Sequence, residues 1–250
     1  MLKALGPELS TEVTWTASDA PAPDGELASI FAETANIHKM LHYLPAYESA
    51  LSPFRSRPIK MLEIGVARGG SLQMWRRYLH PESTIVGVDI DPTTRQFDDP
   101  PRRTHVRIGS QTDISFLRDV VNELGPFDVI LDDGSHMNSH IAQTFRHLFP
   151  YGLAPGGVYV VEDLHSNYWR PYRDIPMSFA DLTKWLIDAM HAHYQTAGRE
   201  LDFRAGDPHR VTELRVPLAT TLVEKVEFYD SIAVIHRAKG RREMPVSVYR

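Results

Sequence analysis

The sequence predicts an α/β protein with a mostly parallel sheet that ends in an antiparallel hairpin. Short apolar segments alternate with helical patterns through the middle of the chain, which is typical of a parallel sheet covered on both faces. The last two apolar segments, 223–229 and 232–237, are joined only by Asp230 and Ser231. Two residues cannot hold a crossover helix, so these segments form a hairpin, and one of the two strands runs antiparallel to the rest.

Five further apolar segments are expected to form the parallel part of the sheet. They are 60–65, 84–89, 105–109, 127–133 and 157–163, and helical patterns lie between them at 71–79, 114–124 and 139–148. Right-handed crossovers place the carboxyl ends of such strands on one edge. That edge is where open α/β sheets bind ligands.

The remaining segments predict how the chain is organised around this sheet. Residues 1–56 are expected to form a loose arm, over the first 25 residues, and a helical cap with a continuous pattern from Leu27 to Leu51. Residues 57–250 form the main domain. An insertion at about 165–218 is expected to shape a substrate site. Its helix runs from about Ser178 to Tyr194 and begins with a Ser178-x-x-Asp181 capping box.

Composition excludes several classes of protein. The chain has 250 residues, a net charge of -5 and no cysteine, so disulfides, thiolate metal sites and cysteine nucleophiles are excluded. A mildly acidic chain is not expected to bind nucleic acid. It has no apolar run long enough to predict a membrane span. The first residues lack the long apolar core of a signal peptide, so a cytoplasmic protein is expected.

A glycine-rich loop follows the first strand. Residues 63–71 read Glu-Ile-Gly-Val-Ala-Arg-Gly-Gly-Ser, and small residues there let the backbone approach a ligand at a helix N-terminus. The spacing from Gly65 to Gly69 breaks the G-x-G-x-x-G dinucleotide pattern. Asp89 ends the second strand, where an acid can accept hydrogen bonds from a ribose diol, although a lone aspartate there can also cap a helix or form a turn.

These residues together resemble the class I S-adenosylmethionine-dependent methyltransferases, over about residues 61–239. The resemblance implies a Rossmann-like sheet of seven strands with a terminal hairpin and helices on both faces. It implies that the glycine loop approaches the methionine and ribose portions of the cofactor, that Asp89 binds the ribose, and that 109–111 lie near the adenine. The implied cofactor-binding residues are Glu63, Gly65, Arg68, Gly69, Ser71, Asp89, Ser110, Gln111 and Asp132.

A second set of motifs resembles the magnesium-dependent sugar O-methyltransferases of natural-product pathways. These motifs are Asp-Asp-Gly-Ser-His at 132–136, Glu162-Asp163, and His-Lys-x-x-His-Tyr at 38–43. The resemblance implies that Asp133, Glu162 and Asp163 bind Mg²⁺ and that His136 is the catalytic base. It also implies a homo-oligomer that methylates a sugar hydroxyl, such as that of a rhamnose-like deoxysugar, on a glycosylated secondary metabolite such as an antibiotic.

The chemistry of the residues supports a metal at this place. The fourth and fifth strands are expected to be neighbours, about 5 Å apart. Three carboxylates at their ends, without a nearby lysine, would repel each other unless a hard divalent cation binds. Glu162 and Asp163 could instead cap the loop that follows. His136 lies three residues beyond Asp133 and can titrate near neutrality. Weaker candidates for the acceptor pocket are His42, Tyr43, His165, Tyr168 and Trp169.

Other functions remain open at this point. The methyl acceptor could be a different oxygen, as in catechol methylation or cephalosporin-type tailoring. A dinucleotide-binding oxidoreductase and a non-catalytic S-adenosylmethionine-binding subunit are further alternatives. The loop spacing and the terminal hairpin argue against the oxidoreductase. The presence of His136 beside the acidic cluster argues against a binding-only protein.

Overall fold

A seven-stranded sheet forms the centre of the molecule. The structure, a computed structural model, describes residues 2–16 and 24–250, so residues 1 and 17–23 of the expected arm lie outside it. The strands are β1 (Lys60–Ile64), β2 (Thr84–Asp89), β3 (Thr104–Ile108), β4 (Phe127–Asp132), β5 (Leu153–Val161), β6 (Val223–Tyr229) and β7 (Ile232–Arg237). Their order is β3-β2-β1-β4-β5-β7-β6. Strands β1 to β5 pair in parallel, and β7 runs antiparallel to both β5 and β6. The predicted fold class is confirmed.

Helices cover both faces of this sheet. The α-helices of the described residues are α1 (Gly6–Leu9), α2 (Glu26–Ala32), α3 (Tyr43–Leu51), α4 (Gly70–Tyr78), α5 (Ile114–Leu124), α6 (Asn138–Tyr151), α7 (Phe179–Met190), α8 (Ala192–Thr196) and α9 (Leu218–Leu222). Within the described ranges, none of these helices has the length and apolar character needed to cross a membrane.

Alternate residues of the strands enter two separate hydrophobic clusters. Met61 and Val129 face one cluster, which also holds Trp75 of α4 and residues of α2 and α3. Leu62 and Ile130 face the other cluster, which is built with residues of α5, α6 and α7. Successive side chains of a strand point to opposite faces. Because both faces are covered, the central strands read as continuous apolar runs.

The helical pattern predicted from Leu27 to Leu51 is wrong in its middle. Helix α2 ends at Ala32, and α3 does not begin until Tyr43. Asn36 in the intervening loop has a positive φ of 58°, a left-handed conformation that asparagine tolerates better than most residues and that no helix continues through. The loop, residues 33–42, packs on the start of α4. A Cβ added to Gly70 would lie 2.5 Å from the carbonyl oxygen of Asn36.

The insertion contains the predicted capping box. Ser178 Oγ accepts a hydrogen bond from the Asp181 amide, and Asp181 Oδ2 accepts one from the Ser178 amide. Helix α7 ends at Met190 rather than near Tyr194, because the chain turns at His191 before the short helix α8. The division of the chain at residue 56 and the substrate-shaping role of 165–218 stay predictions.

Candidate active site

The loop after β1 is held very close to the loop after β4. Gly65 has a positive φ of 93°, and a Cβ added there would lie 2.0 Å from the carbonyl oxygen of Asp133. Only glycine permits this approach, because any side chain would overlap the Asp133 backbone. The loops that follow β1 and β4 are therefore packed closely together at the sheet edge where ligands are expected.

Asp89 fixes the other side of the glycine loop. Its Oδ2 accepts hydrogen bonds from the amides of Val66 and Ala67, at 2.8 and 2.9 Å, and its Oδ1 accepts one from the amide of Asp91. The carboxylate borders a cavity of about 260 Å³. Of the predicted cofactor-binding residues, this cavity is lined by Gly65, Asp89, Ser110 and Gln111.

A larger cavity, of about 570 Å³, lies on the other side of Gly65. Gly65, Ala67 and Gly134 border both cavities, so the two form neighbouring halves of one groove along the strand ends. The predicted cofactor residues Arg68 and Ser71 line the larger half. The same half contains the acidic cluster described below.

Three predicted cofactor residues line neither cavity. Glu63 is fully buried and accepts hydrogen bonds from Ser71 Oγ at 2.9 Å and Trp75 Nε1 at 3.3 Å. Asp132 is buried and accepts one from Gln111 Nε2 at 3.3 Å. Gly69 faces the ring of Phe97. These three residues do not border the groove, and their assignment to the cofactor stays a prediction.

Burial sets the electrostatics of these two acids. It raises the pKa of Glu63 to about 7, although the charge of Lys39 opposes the shift. It also raises the pKa of Asp132 to about 7, against hydrogen bonds from the Gly134 amide and from Gln111. A carboxyl away from water is costly to ionise, which is why each of these acids is surrounded by donors.

The acids after β4 and β5 meet around a lysine. The two strands are neighbours, as predicted, with Asp132 paired to Val161. Lys39 Nζ donates to Asp133 Oδ2 and lies 2.8 and 3.0 Å from the two carboxylate oxygens of Glu162. Burial lowers the pKa of Lys39, but the negative charges of Asp133, Glu162 and Glu63 outweigh it and raise that pKa. The carboxylates therefore do not stand without a lysine, contrary to the assumption made from the sequence.

A second group of side chains faces the cavity beside this lysine. His136 Nε2 lies 3.6 Å from Asp163 Oδ2 and 3.9 Å from Asp133 Oδ1. One ligand atom from each of the three residues lies within 4.8 Å of the other two. Two carboxylates that are partly open to a cavity fit a divalent cation, and the imidazole lies beside them. Glu162 is not in this group, and its two oxygens contact Lys39 instead.

Of the five predicted acceptor residues, Tyr43 and His165 lie close to Asp163, and the other three do not contact it. Tyr43 lines the cavity and donates a hydrogen bond to Asp163 Oδ1 at 2.7 Å. His165 Nδ1 lies 4.0 Å from the same oxygen and 2.6 Å from Ser231 Oγ. His42 instead contacts the carbonyl of Asp230. Tyr168 and Trp169 are exposed on the loop after β5, and Trp169 packs edge-on against His165.

The sequence of this region matches a known domain. Residues 62–164, which include the glycine loop, Asp89 and the acidic cluster, match the family model described as a methyltransferase domain. These residues form a methyltransferase domain. The resemblance to methyltransferases is thereby confirmed.

Several curated relatives are named as O-methyltransferases of glycosylated or macrolide natural products. The chain is 39% identical over 186 residues, 70% of its length, to 8-demethyl-8-alpha-L-rhamnosyl tetracenomycin-C 2'-O-methyltransferase of Streptomyces olivaceus. It is 32% identical over 200 residues, 74% of its length, to mycinamicin VI 2''-O-methyltransferase of Micromonospora griseorubida. The matched regions cover 46% and 49% of those proteins, so the chain spans about half the length of the curated relatives it matches.

Solved structures agree with the fold. The MycE methyltransferase from the mycinamycin biosynthetic pathway, in complex with Mg and SAH, superimposes with a TM-score of 0.71 at 27% identity. The match covers 90% of this chain and 56% of that one. MycE in complex with Mg, SAH and mycinamycin VI gives a TM-score of 0.68 at 26% identity, over 87% of this chain and 56% of that one.

Sequence reasoning missed the position of one residue of the candidate site. Lys39 belongs to the His-Lys-x-x-His-Tyr motif, but the motif was interpreted as part of a continuous helix. Its side chain is only 2% exposed. The available signal was Asn36, a residue that tolerates a helix-breaking conformation three positions earlier.

Proposed function

We propose that this protein is an S-adenosylmethionine-dependent, Mg²⁺-dependent O-methyltransferase that acts on a sugar hydroxyl of a glycosylated secondary metabolite. One observation carries the proposal. His136, Asp133 and Asp163 converge on a cavity that shares the glycine loop with the Asp89 cavity. Methylation of a weakly acidic hydroxyl requires a base to remove its proton and a groove that holds the methyl donor beside it. Here the histidine, the acidic cluster and the groove adjoin one another.

The groove supplies separate places for the parts of the cofactor. The Asp89 carboxylate, at the end of β2, faces the smaller cavity and can accept hydrogen bonds from a ribose diol. Ser110 and Gln111 border the same cavity and would contact the adenine of the cofactor. Arg68 lines the larger half of the groove, where its positive charge would suit a carboxylate of the amino-acid portion.

The residues beside His136 would hold the metal. Asp133 and Asp163 supply carboxylate oxygens, and the resemblance adds Glu162. When bound, Mg²⁺ would lower the pKa of a hydroxyl while S-adenosylmethionine supplies the methyl group and departs as S-adenosylhomocysteine. Tyr43 donates to Asp163 Oδ1 and so holds this carboxylate in its place.

His136 is the base in this proposal. Neutral Nε2 accepts the proton of the acceptor hydroxyl as the oxygen forms its bond to the methyl carbon. The side chain is 21% exposed, so the proton can later leave to solvent. Nearby acids stabilise the imidazolium that results, at 3.6 Å for Asp163.

The acceptor class rests on the relatives and on the loop after β5. Two of those relatives are named as O-methyltransferases of a rhamnosyl tetracenomycin-C and of mycinamicin VI. In this chain Trp169 is 53% exposed and Tyr168 is 71% exposed, near the His165 side of the site. Exposed aromatic faces suit the apolar face of a sugar or a flat aglycone.

Calorimetry and a transfer assay test the proposal together. We expect S-adenosylmethionine and S-adenosylhomocysteine to bind and NAD not to bind. With labelled S-adenosylmethionine, label should reach rhamnosylated polyketides but not their aglycones, and EDTA should stop transfer until Mg²⁺ is restored. NAD binding without binding of the sulfur cofactors would contradict the proposal. Transfer to a catechol in preference to a sugar would contradict the acceptor class.

We further propose a cytoplasmic homo-oligomer that binds neither nucleic acid nor membranes. The net charge of -5 supports the exclusion of nucleic acid. The oligomer rests on the family resemblance. Light scattering after gel filtration tests it, and a mass equal to a single 28.4 kDa chain would contradict it.

A further inference from the structure

The ammonium of Lys39 is fully engaged by the acids of the site. It donates to Asp133 Oδ2 and lies 2.8 and 3.0 Å from the two oxygens of Glu162. An ammonium has three protons to donate, and here each has a carboxylate oxygen within reach. The side chain is 2% exposed, so water does not screen these contacts.

The same acids belong to the metal set implied by the family resemblance. A cation that uses Glu162 must take an oxygen that now faces Lys39. A cation on Asp133 Oδ1 would share this carboxylate with the ammonium, and two positive charges at such a distance repel strongly in a buried site. The two cations are therefore expected to compete.

A buried hydroxyl lies beside the same acids. Burial, the charges of Glu162 and Asp133, and a hydrogen bond to Glu162 raise the pKa of Tyr47. Tyr47 therefore remains as a donor to Glu162 when Lys39 withdraws.

We propose that Lys39 is a positioning residue that competes with the divalent cation for Asp133 and Glu162. When the metal binds, the ammonium withdraws from both carboxylates and the loop 33–42 loses its anchor. Metal binding is thereby linked to movement of the segment that borders the larger cavity through Ile37, Lys39 and Met40. This inference rests on the metal site of the proposed function.

Chemical labelling of lysines in the wild-type protein tests the movement directly. We expect acetylation of Lys39, followed by mass spectrometry, to be slow without metal and severalfold faster with Mg²⁺. Lys184 is the internal control, because its side chain is 67% exposed and its labelling should not respond. An unchanged rate at Lys39 under saturating Mg²⁺ would overturn the inference.

Metal affinity tests the competition. Calorimetric titration with Mg²⁺ should give Lys39→Met an affinity about 10-fold or more above that of the wild type, because the repulsion from the ammonium is removed, and Lys184→Met an unchanged one. Equal or weaker binding by Lys39→Met would overturn the competition. Absence of Mg²⁺ binding by every variant would overturn the metal site of the proposed function as well. If Lys39→Met does not fold, the wild-type labelling experiment decides.

Discussion

Nε2 of His136 lies 3.6 Å from Oδ2 of Asp163, and both residues hold left-handed backbone conformations, with φ of 58° and 54°. Such conformations cost a non-glycine residue roughly 1–3 kcal/mol and persist only where the surroundings enforce them. His136 lies on the loop after β4 and Asp163 on the loop after β5, and the two loops approach each other at this contact. The strain is located where two strand ends bring a base to a carboxylate.

Replacement of His136 by alanine should separate catalysis from cofactor binding. We expect turnover to fall by about 100-fold or more, because a positioned base is lost. The affinity for S-adenosylhomocysteine should change little, since the proposed cofactor contacts come from Asp89, Ser110, Gln111 and Arg68 and not from His136. Single-turnover kinetics and calorimetry measure the two quantities.

His209 provides the control for that experiment. It is an exposed histidine in the insertion. His209→Ala should keep both turnover and affinity. Wild-type turnover in His136→Ala would remove the base from the mechanism, whereas an equal loss in both variants would point to a general effect on folding.

Replacement of Asp89 by asparagine should weaken cofactor binding. Asp89 Oδ2 accepts from two amides of the glycine loop, and a neutral amide side chain accepts more weakly than a carboxylate. Both the loop and the expected ribose contact are affected. We expect the dissociation constant of S-adenosylhomocysteine to rise about 10-fold or more.

Asp113 is a matched control because it also accepts from two backbone amides, those of Ser115 and Phe116. Asparagine replaces aspartate well at such a helix N-cap, so Asp113→Asn should bind normally. A dissociation constant for Asp89→Asn equal to the wild-type value would contradict the ribose assignment.

The parts of this structure that follow from local pattern were predictable. Strands 84–89, 223–229 and 232–237 agree with the structure at both ends, and so does the helix 114–124. The Ser178 capping box was readable because its two residues satisfy each other's backbone amides. The meeting of Asp133 and Asp163 followed from the adjacency of parallel strands.

Lys39 was not predictable in the same way. An apolar pattern on both sides of residues 33–42 is compatible with one helix, and Asn36 is the one local signal against it. The path of the loop is fixed by tertiary contacts, with Gly70 and with the acidic cluster. The same limit applies to Glu162 and His136. Spacing places both residues near Asp133. It does not show that Glu162 contacts Lys39 whereas His136 lies beside Asp163.

Glu227, in the β6–β7 hairpin, should make the free energy of unfolding depend on pH in the acidic range. Burial raises the pKa of Glu227, but hydrogen bonds from Lys225, Tyr229 and His236 outweigh it and hold it at about 2, below the ordinary 4.5. The full stabilisation, roughly 1–3 kcal/mol, is present above pH 4.5. It is lost as the pH falls toward 2, because the unfolded chain takes up the proton first.

Urea unfolding at several pH values measures this effect. The difference in the free energy of unfolding between wild type and Glu227→Gln should be largest at pH 5 and above and should narrow by pH 3. Glu224 is exposed on the same strand, so Glu224→Gln should follow the wild type throughout. A difference for Glu227→Gln that stays constant from pH 6 to pH 3 would contradict the assignment.

Alanine substitutions at two glycines with positive φ distinguish the cost of backbone strain from the cost of steric overlap with neighbouring backbone. Gly65 has φ of 93° and would place a Cβ 2.0 Å from the Asp133 carbonyl, whereas Gly206 has φ of 79° and nothing within 4 Å. Gly206→Ala should therefore cost only the conformational strain, about 1–2 kcal/mol. Gly65→Ala adds an overlap with backbone that cannot rotate away.

We expect Gly65→Ala to cost at least about 2 kcal/mol more than Gly206→Ala in urea unfolding, since overpacking adds its own penalty to the strain. It should also weaken binding of S-adenosylhomocysteine, because the loop after β4 must move away from β1 to make room for the new methyl group. Gly206→Ala should leave binding unchanged. Equal costs for the two substitutions would show that β1 and β4 do not approach as closely as the Gly65 contact requires.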